Sequence, residues 1–184
     1  MYRKNNHTSY DQQYLINKFR QLWEQHVMWT RSFIISTASD LGDLQVVTER
    51  LLKNPGDFAT VLQRFYGLEK AKGFETLFTD HLVIAADLVN HAKTGDQAAV
   101  DADRVLWYKN ADDISEYLSK INPNWSKKEW QKMFYSHLKM TENEAAKRLT
   151  GKFAEDIAEY EMIENEALTM ADYIAEGIIK QFES

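Results

Sequence analysis

The sequence predicts an all-α protein, an up-and-down bundle of about five long helices. Three observations carry that prediction. Apolar residues recur with a 3.6-residue period along nearly the whole chain, and strand-like alternation is absent. Punctuation is sparse: two prolines and seven glycines in 184 residues, nearly all at the edges of periodic segments. Hydrophobic residues make up 44%, enough to bury a core, and the length suits one domain.

The first helix is expected from about Tyr10 to Ser39, capped by Thr8 or Ser9 and closed near Gly42, after a disordered N-terminus over residues 1–8. Two short helices follow, Asp43 to Lys53, stopped by "NPGD", and Asp57 to Tyr66, closed by Gly67. The second long helix runs from about Glu69 to Thr94, weakened by Gly73, and the third from Gln97 to Ile121, broken at "NPNW". Ser126 caps the fourth, with Glu129 completing a capping box, and that helix ends at Gly151. The fifth spans Phe153 to Phe182. One domain thus covers residues 9–184. A weak repeat supports the arrangement: "DHLVIAADLVNHAKTGD" and "SHLKMTENEAAKRLTGK" each place His-Leu fourteen residues before the closing glycine. Two related hairpins are a route to a bundle of ferritin- or hemerythrin-like general architecture.

The apolar stripes are interrupted, once per long helix, by a polar residue. His26 stands between Leu22 and Trp29, His81 between Leu77 and Ile84, Asn110 between Trp107 and Ile114, His137 between Met133 and Met140, and Glu164 between Tyr160 and Ala167. Their heights are countable. His81 and His137 lie fourteen residues before Gly95 and Gly151; Asn110 and Glu164 lie fifteen and thirteen residues after those glycines. Antiparallel hairpins therefore set His81 level with Asn110 and His137 level with Glu164. If the connection through Asp43 to Leu68 carries the chain back, His26 joins the same slice.

Three imidazoles and a carboxylate form a ligand set for one transition metal ion, zinc, iron or manganese. Asn110 is then a fifth ligand or the group that fixes an imidazole tautomer. Glu161, one turn before Glu164, and Thr30 and Thr141, one turn past their histidines, are the expected outer partners. Glu144 is expected to pair with Arg148 or Arg31, and Glu155, Asp156 and Glu159 to form a solvated face. The alternative is a non-enzymatic small-ligand-binding or protein-interaction bundle whose buried polar residues satisfy one another. A two-metal oxidase is disfavoured because Glu-x-x-His is absent.

Composition narrows the rest. The chain has no cysteine, which removes thiolate chemistry and Cys-ligated metals. Net charge is −6, with no Lys/Arg stripe, so neither nucleic acid nor an anionic membrane is an expected partner. A small molecule at the polar layer and a second copy of the chain stay open as partners. No apolar run approaches a membrane span and the N-terminus lacks an apolar signal region, so a cytoplasmic location is expected. "KTGD" and "LTGK" are helix ends rather than phosphate loops, so no nucleotide is expected, and no catalytic motif is visible.

The segments "LWEQHVMWTR", "ERLLKNPGDF", "HLVIAADLV", "WYKNADDI", "INPNW" and "MADYIAEGI" together resemble a family of uncharacterised all-helical bacterial proteins along nearly the whole chain. Members sometimes carry the label acetylglutamate kinase, which this sequence does not support. The resemblance implies the helical fold and a bacterial setting, and no activity.

Overall fold

The computed structural model describes residues 7–182. Six helices account for nearly all of them: α1 (His7–Ala38), α2 (Leu44–Leu51), α3 (Asn54–Thr94), α4 (Gln97–Ile121), α5 (Lys127–Leu149) and α6 (Phe153–Phe182). Among the described residues there is no strand, as the periodicity requires. Among these residues no helix is long and apolar enough to cross a membrane.

The ends follow their local chemistry. Gly95 and Gly151 take left-handed φ of 78° and 75° and close α3 and α5. Asp96 accepts a hydrogen bond from the Ala99 backbone N–H at the start of α4, and Ser126 accepts from that of Glu129 at the start of α5. Two expectations shift. α1 begins at His7, so Thr8 and Ser9 lie within its first turn rather than capping it; residues 1–6 of the expected disordered segment lie outside the described residues. The second short helix starts earlier, at Asn54, because Pro55 suits a first helical turn rather than ending one. It runs on into the second long helix, and the two meet at Gly67, whose φ of 80° and ψ of 167° break the helical path. α3 is thus two segments, 54–66 and 68–94.

The long helices pack in a closed ring in which α1 touches α3 and α6, α4 lies between α3 and α5, and α5 lies against α6. Core side chains are large: Trp23, Trp125, Trp130, Phe19, Phe58, Phe74, Phe78 and Phe134 are all fully buried. Two glycines make room for aromatic side chains, the buried Trp125 and the partly buried Tyr117. A Cβ on Gly177 would stand 1.8 Å from the Trp125 indole nitrogen, and one on Gly73 would stand 2.3 Å from the Tyr117 hydroxyl. Gly73 is therefore a packing position in α3 rather than a weakness.

Candidate metal centre

His26 on α1, His81 on α3 and His137 on α5 come together in the core, each no more than 2% exposed. Their ring centroids lie 5.6 to 6.5 Å apart. One ring nitrogen from each lies within 4.8 Å of the other two. Among the described residues no cysteine or carboxylate joins this group. The long connection through α2 does bring α1 back to the level of α3 and α5.

Two of the three rings are held by the same device. Asn54 at the start of α3 sends its Nδ2 to the carbonyl oxygen of Leu22, 3.0 Å away, and its Oδ1 to His26 Nδ1, 3.2 Å away. Asn110 on α4 sends its Nδ2 to the carbonyl of Leu77, 3.0 Å away, and its Oδ1 to His81 Nδ1, 3.1 Å away. In both cases the asparagine grips a helix at the histidine and four residues before it. The carbonyl can only accept, so the amide must present its nitrogen there and its oxygen to the ring. The ring must then donate. His26 and His81 are therefore Nδ1–H tautomers, and each carries its free lone pair on Nε2. His137 has no such clamp: its Nδ1 is buried without a hydrogen-bond partner.

Electrostatics keep the rings neutral. Burial, then the neighbouring His137 and His81, holds His26 well below the usual imidazole pKa. Burial and His137 push His81 down to about 3, and burial alone takes His137 to about 4. Neutral imidazole is the form that binds a metal.

Asn110 takes the tautomer-fixing role. Glu164 does not come into the layer; it is half-buried on α6 and outside the trio. The reason is a one-residue error in the stripe. The core face of α6 runs Asp156, Glu159, Ile163, Ala167, Met170 and Ala171, one position ahead of Tyr160 and Glu164 in its first half, and Ile157, a turn before Tyr160, is 51% exposed. One residue is about 100° of helix. Asp156 and Glu159, expected on a solvated face, are instead 0% and 4% exposed. They answer to cations: Arg31 Nη1 lies 2.6 Å from Asp156 and 2.5 Å from Glu144, Arg148 lies 3.3 Å from Asp156, and Lys147 bonds Glu159. The expected Glu144–Arg31 pair is present. Burial pushes the Glu144 carboxyl up to about 7, with Arg31 opposing.

Asn54 was missed because "KNPGD" reads as punctuation. A second signal was present in the sequence: an aromatic residue stands three positions before each histidine of the trio, Trp23, Phe78 and Phe134.

A cavity of about 20 Å³ borders the trio, reached also by Thr30, Thr141, Ala85 and Trp107. A larger cleft, about 690 Å³, lies elsewhere, between α1 and the first segment of α3, with Lys18, Arg50 and Arg64 facing Asp11 and Asp57. Its charges are mixed and Arg50 already pairs with Asp57 at 3.4 Å, so the trio is the better functional candidate. No family model, curated protein or solved structure matches the chain.

Proposed function

We propose that the protein binds one transition metal ion through His26, His81 and His137. The observation that carries this reading is the paired asparagine clamp. It commits Nδ1 of two rings outward and leaves Nε2 as the free donor, which is how metal-ligating histidines are oriented by their outer partners. Three neutral imidazoles suit zinc above all, with iron or manganese as the other ions to test.

One observation favours a second reading. Three nitrogens up to 4.8 Å apart leave a central point about 2.8 Å from each, hydrogen-bond distance for a water. A metal at about 2.1 Å draws each ring inward by about 0.7 Å. A water there donates to His26 and His81 and accepts from His137, and the trio is then a structural network.

Elemental analysis of untagged protein, after growth with zinc, iron or manganese, separates the two. The metal reading expects near-stoichiometric metal that disappears in His26→Ala, His81→Ala and His137→Ala. Folded protein without metal under every supplement overturns it and favours the network.

A further inference from the structure

The trio is built to one plan three times. An aromatic residue precedes each histidine by three positions, and Thr30, Ala85 and Thr141 follow by four. All three followers line the same cavity, so α1, α3 and α5 run parallel there and equal offsets stack as layers. At ~1.5 Å of rise per residue, the layers lie about 4.5 Å below and 6 Å above the imidazoles.

The two sides differ. Below, Trp23 meets Phe78 with ring centroids 5.6 Å apart and Phe134 at 6.4 Å, and Phe78 stacks on His26 at 4.9 Å. These aromatic rings are no more than 1% exposed. Above lies the 20 Å³ cavity, with no Asp, Glu, Lys or Arg in its wall.

We infer that a metal held by the trio has a single exchangeable coordination position, on the Thr30–Ala85–Thr141 side, and that it takes one water-sized protic ligand, water or hydroxide. This rests on the metal reading above. Size is the first argument. A water needs roughly 10–15 Å³ of such space, so the cavity admits one and the centre is four-coordinate. Hydrogen bonding is the second. Thr30 donates its hydroxyl proton to the carbonyl of His26 at 2.7 Å, and Thr141 donates its own to that of His137 at 2.9 Å. Each threonine oxygen is left as an acceptor. Two acceptors match the two O–H groups of a bound water. Charge is the third. Three neutral ligands leave a buried divalent ion uncompensated, and hydroxide removes half of that charge. Three histidines and a water are also the donor set from which zinc generates hydroxide near neutral pH.

Zinc has no visible spectrum, so the test uses cobalt(II) in the full-length chain. Uptake is measured first, with cobalt and with zinc. If neither binds, the metal reading falls and takes this inference with it. If cobalt binds, the wild type is expected to show the intense visible bands of four-coordinate cobalt, and fluoride, an anion the size of a water, is expected to displace the water and shift them. Ala85→Val fills the open side; it is expected to retain cobalt and lose the fluoride response. Weak six-coordinate bands, bands indifferent to fluoride, or an unchanged response in Ala85→Val overturn the inference. Should Ala85→Val fail to fold, Thr30→Val/Thr141→Val is read instead. It removes the acceptors that hold a water's protons, and fluoride has none to place, so fluoride is expected to bind severalfold more tightly; unchanged affinity overturns the assignment.

Discussion

Asn54 and Asn110 show how much chemistry one amide can determine. Each adds a hydrogen bond to a carbonyl of a neighbouring helix and, by doing so, dictates which imidazole nitrogen carries the proton. Long-range ¹⁵N–¹H spectra of the imidazoles are therefore expected to show the Nδ1–H tautomer for His26 and His81 at neutral pH; an Nε2–H pattern in either ring contradicts the clamp. Asn54→Ala leaves the His26 Nδ1–H without a partner, while the Leu22 carbonyl keeps its bond within α1. An orphaned buried donor costs about 1–3 kcal/mol, so denaturant unfolding of the metal-free protein is expected to register a loss in that range. Under the metal reading a competitive titration also shows metal affinity falling roughly 10- to 100-fold. A loss of stability with no change in metal affinity assigns Asn54 to structure alone.

At the scale of helices, the histidines were legible because they interrupt unmistakable apolar stripes and because glycine ends allow heights to be counted. His81 and Asn110, matched by that count, are hydrogen-bonded. The same count matched His137 to Glu164 and failed, because the stripe of α6 opens with Asp156 and Glu159. A periodicity built on apolar residues places carboxylates outside, and only the position of Arg31 on another helix reveals that these two turn inward. Arg31 carries much of that arrangement. Arg31→Met strands Glu144 in the core and leaves Asp156 to Arg148 alone, and breaking a buried pair from one side costs about 3–5 kcal/mol. The cost has a pH signature. The Glu144 carboxyl already titrates near 7, above the 4.5 of an unfolded chain, and losing Arg31 raises it further. A raised carboxyl contributes stability that is present at low pH and lost as pH rises. The deficit of Arg31→Met is therefore expected to be largest at pH 8 and to shrink toward pH 6 in a series of denaturant titrations; a constant deficit rules out the ionisation of Glu144 as its source. Packing sets a second limit on α6. Gly177→Ala drives a methyl into the Trp125 indole, and the overpacking is expected to lower stability by about 1–3 kcal/mol.

For the molecule as a whole, the central layer couples folding to protons. The pKa values of His26, His81 and His137 lie below that of a free imidazole, so unfolding at mildly acid pH takes up a proton on each. For groups depressed in this way, stability is fully present above the unfolded pKa of about 6.5 and is lost as pH falls toward the folded values, about 3 for His81 and about 4 for His137. Glu144 has the opposite sign, since it holds a proton when folded and releases it on unfolding between pH 4.5 and 7. Three imidazoles against one carboxylate leave a net uptake of about two protons in the window from pH 6.5 to 4.5. At about 1.4 kcal/mol per pH unit for each proton, the metal-free protein loses roughly 2–3 kcal/mol for every unit of acidification. That is a large share of the stability of an ordinary domain, so acid unfolding is expected well above the pH at which surface carboxylates titrate. Denaturant unfolding at pH 7, 6 and 5 measures the slope directly. His81→Phe, if it folds, removes one proton from the net uptake of about two and flattens it by about half. Stability that holds level from pH 7 to 5 means that the rings gain a charge-compensating partner on protonation, contrary to the neutral, tightly buried layer described here.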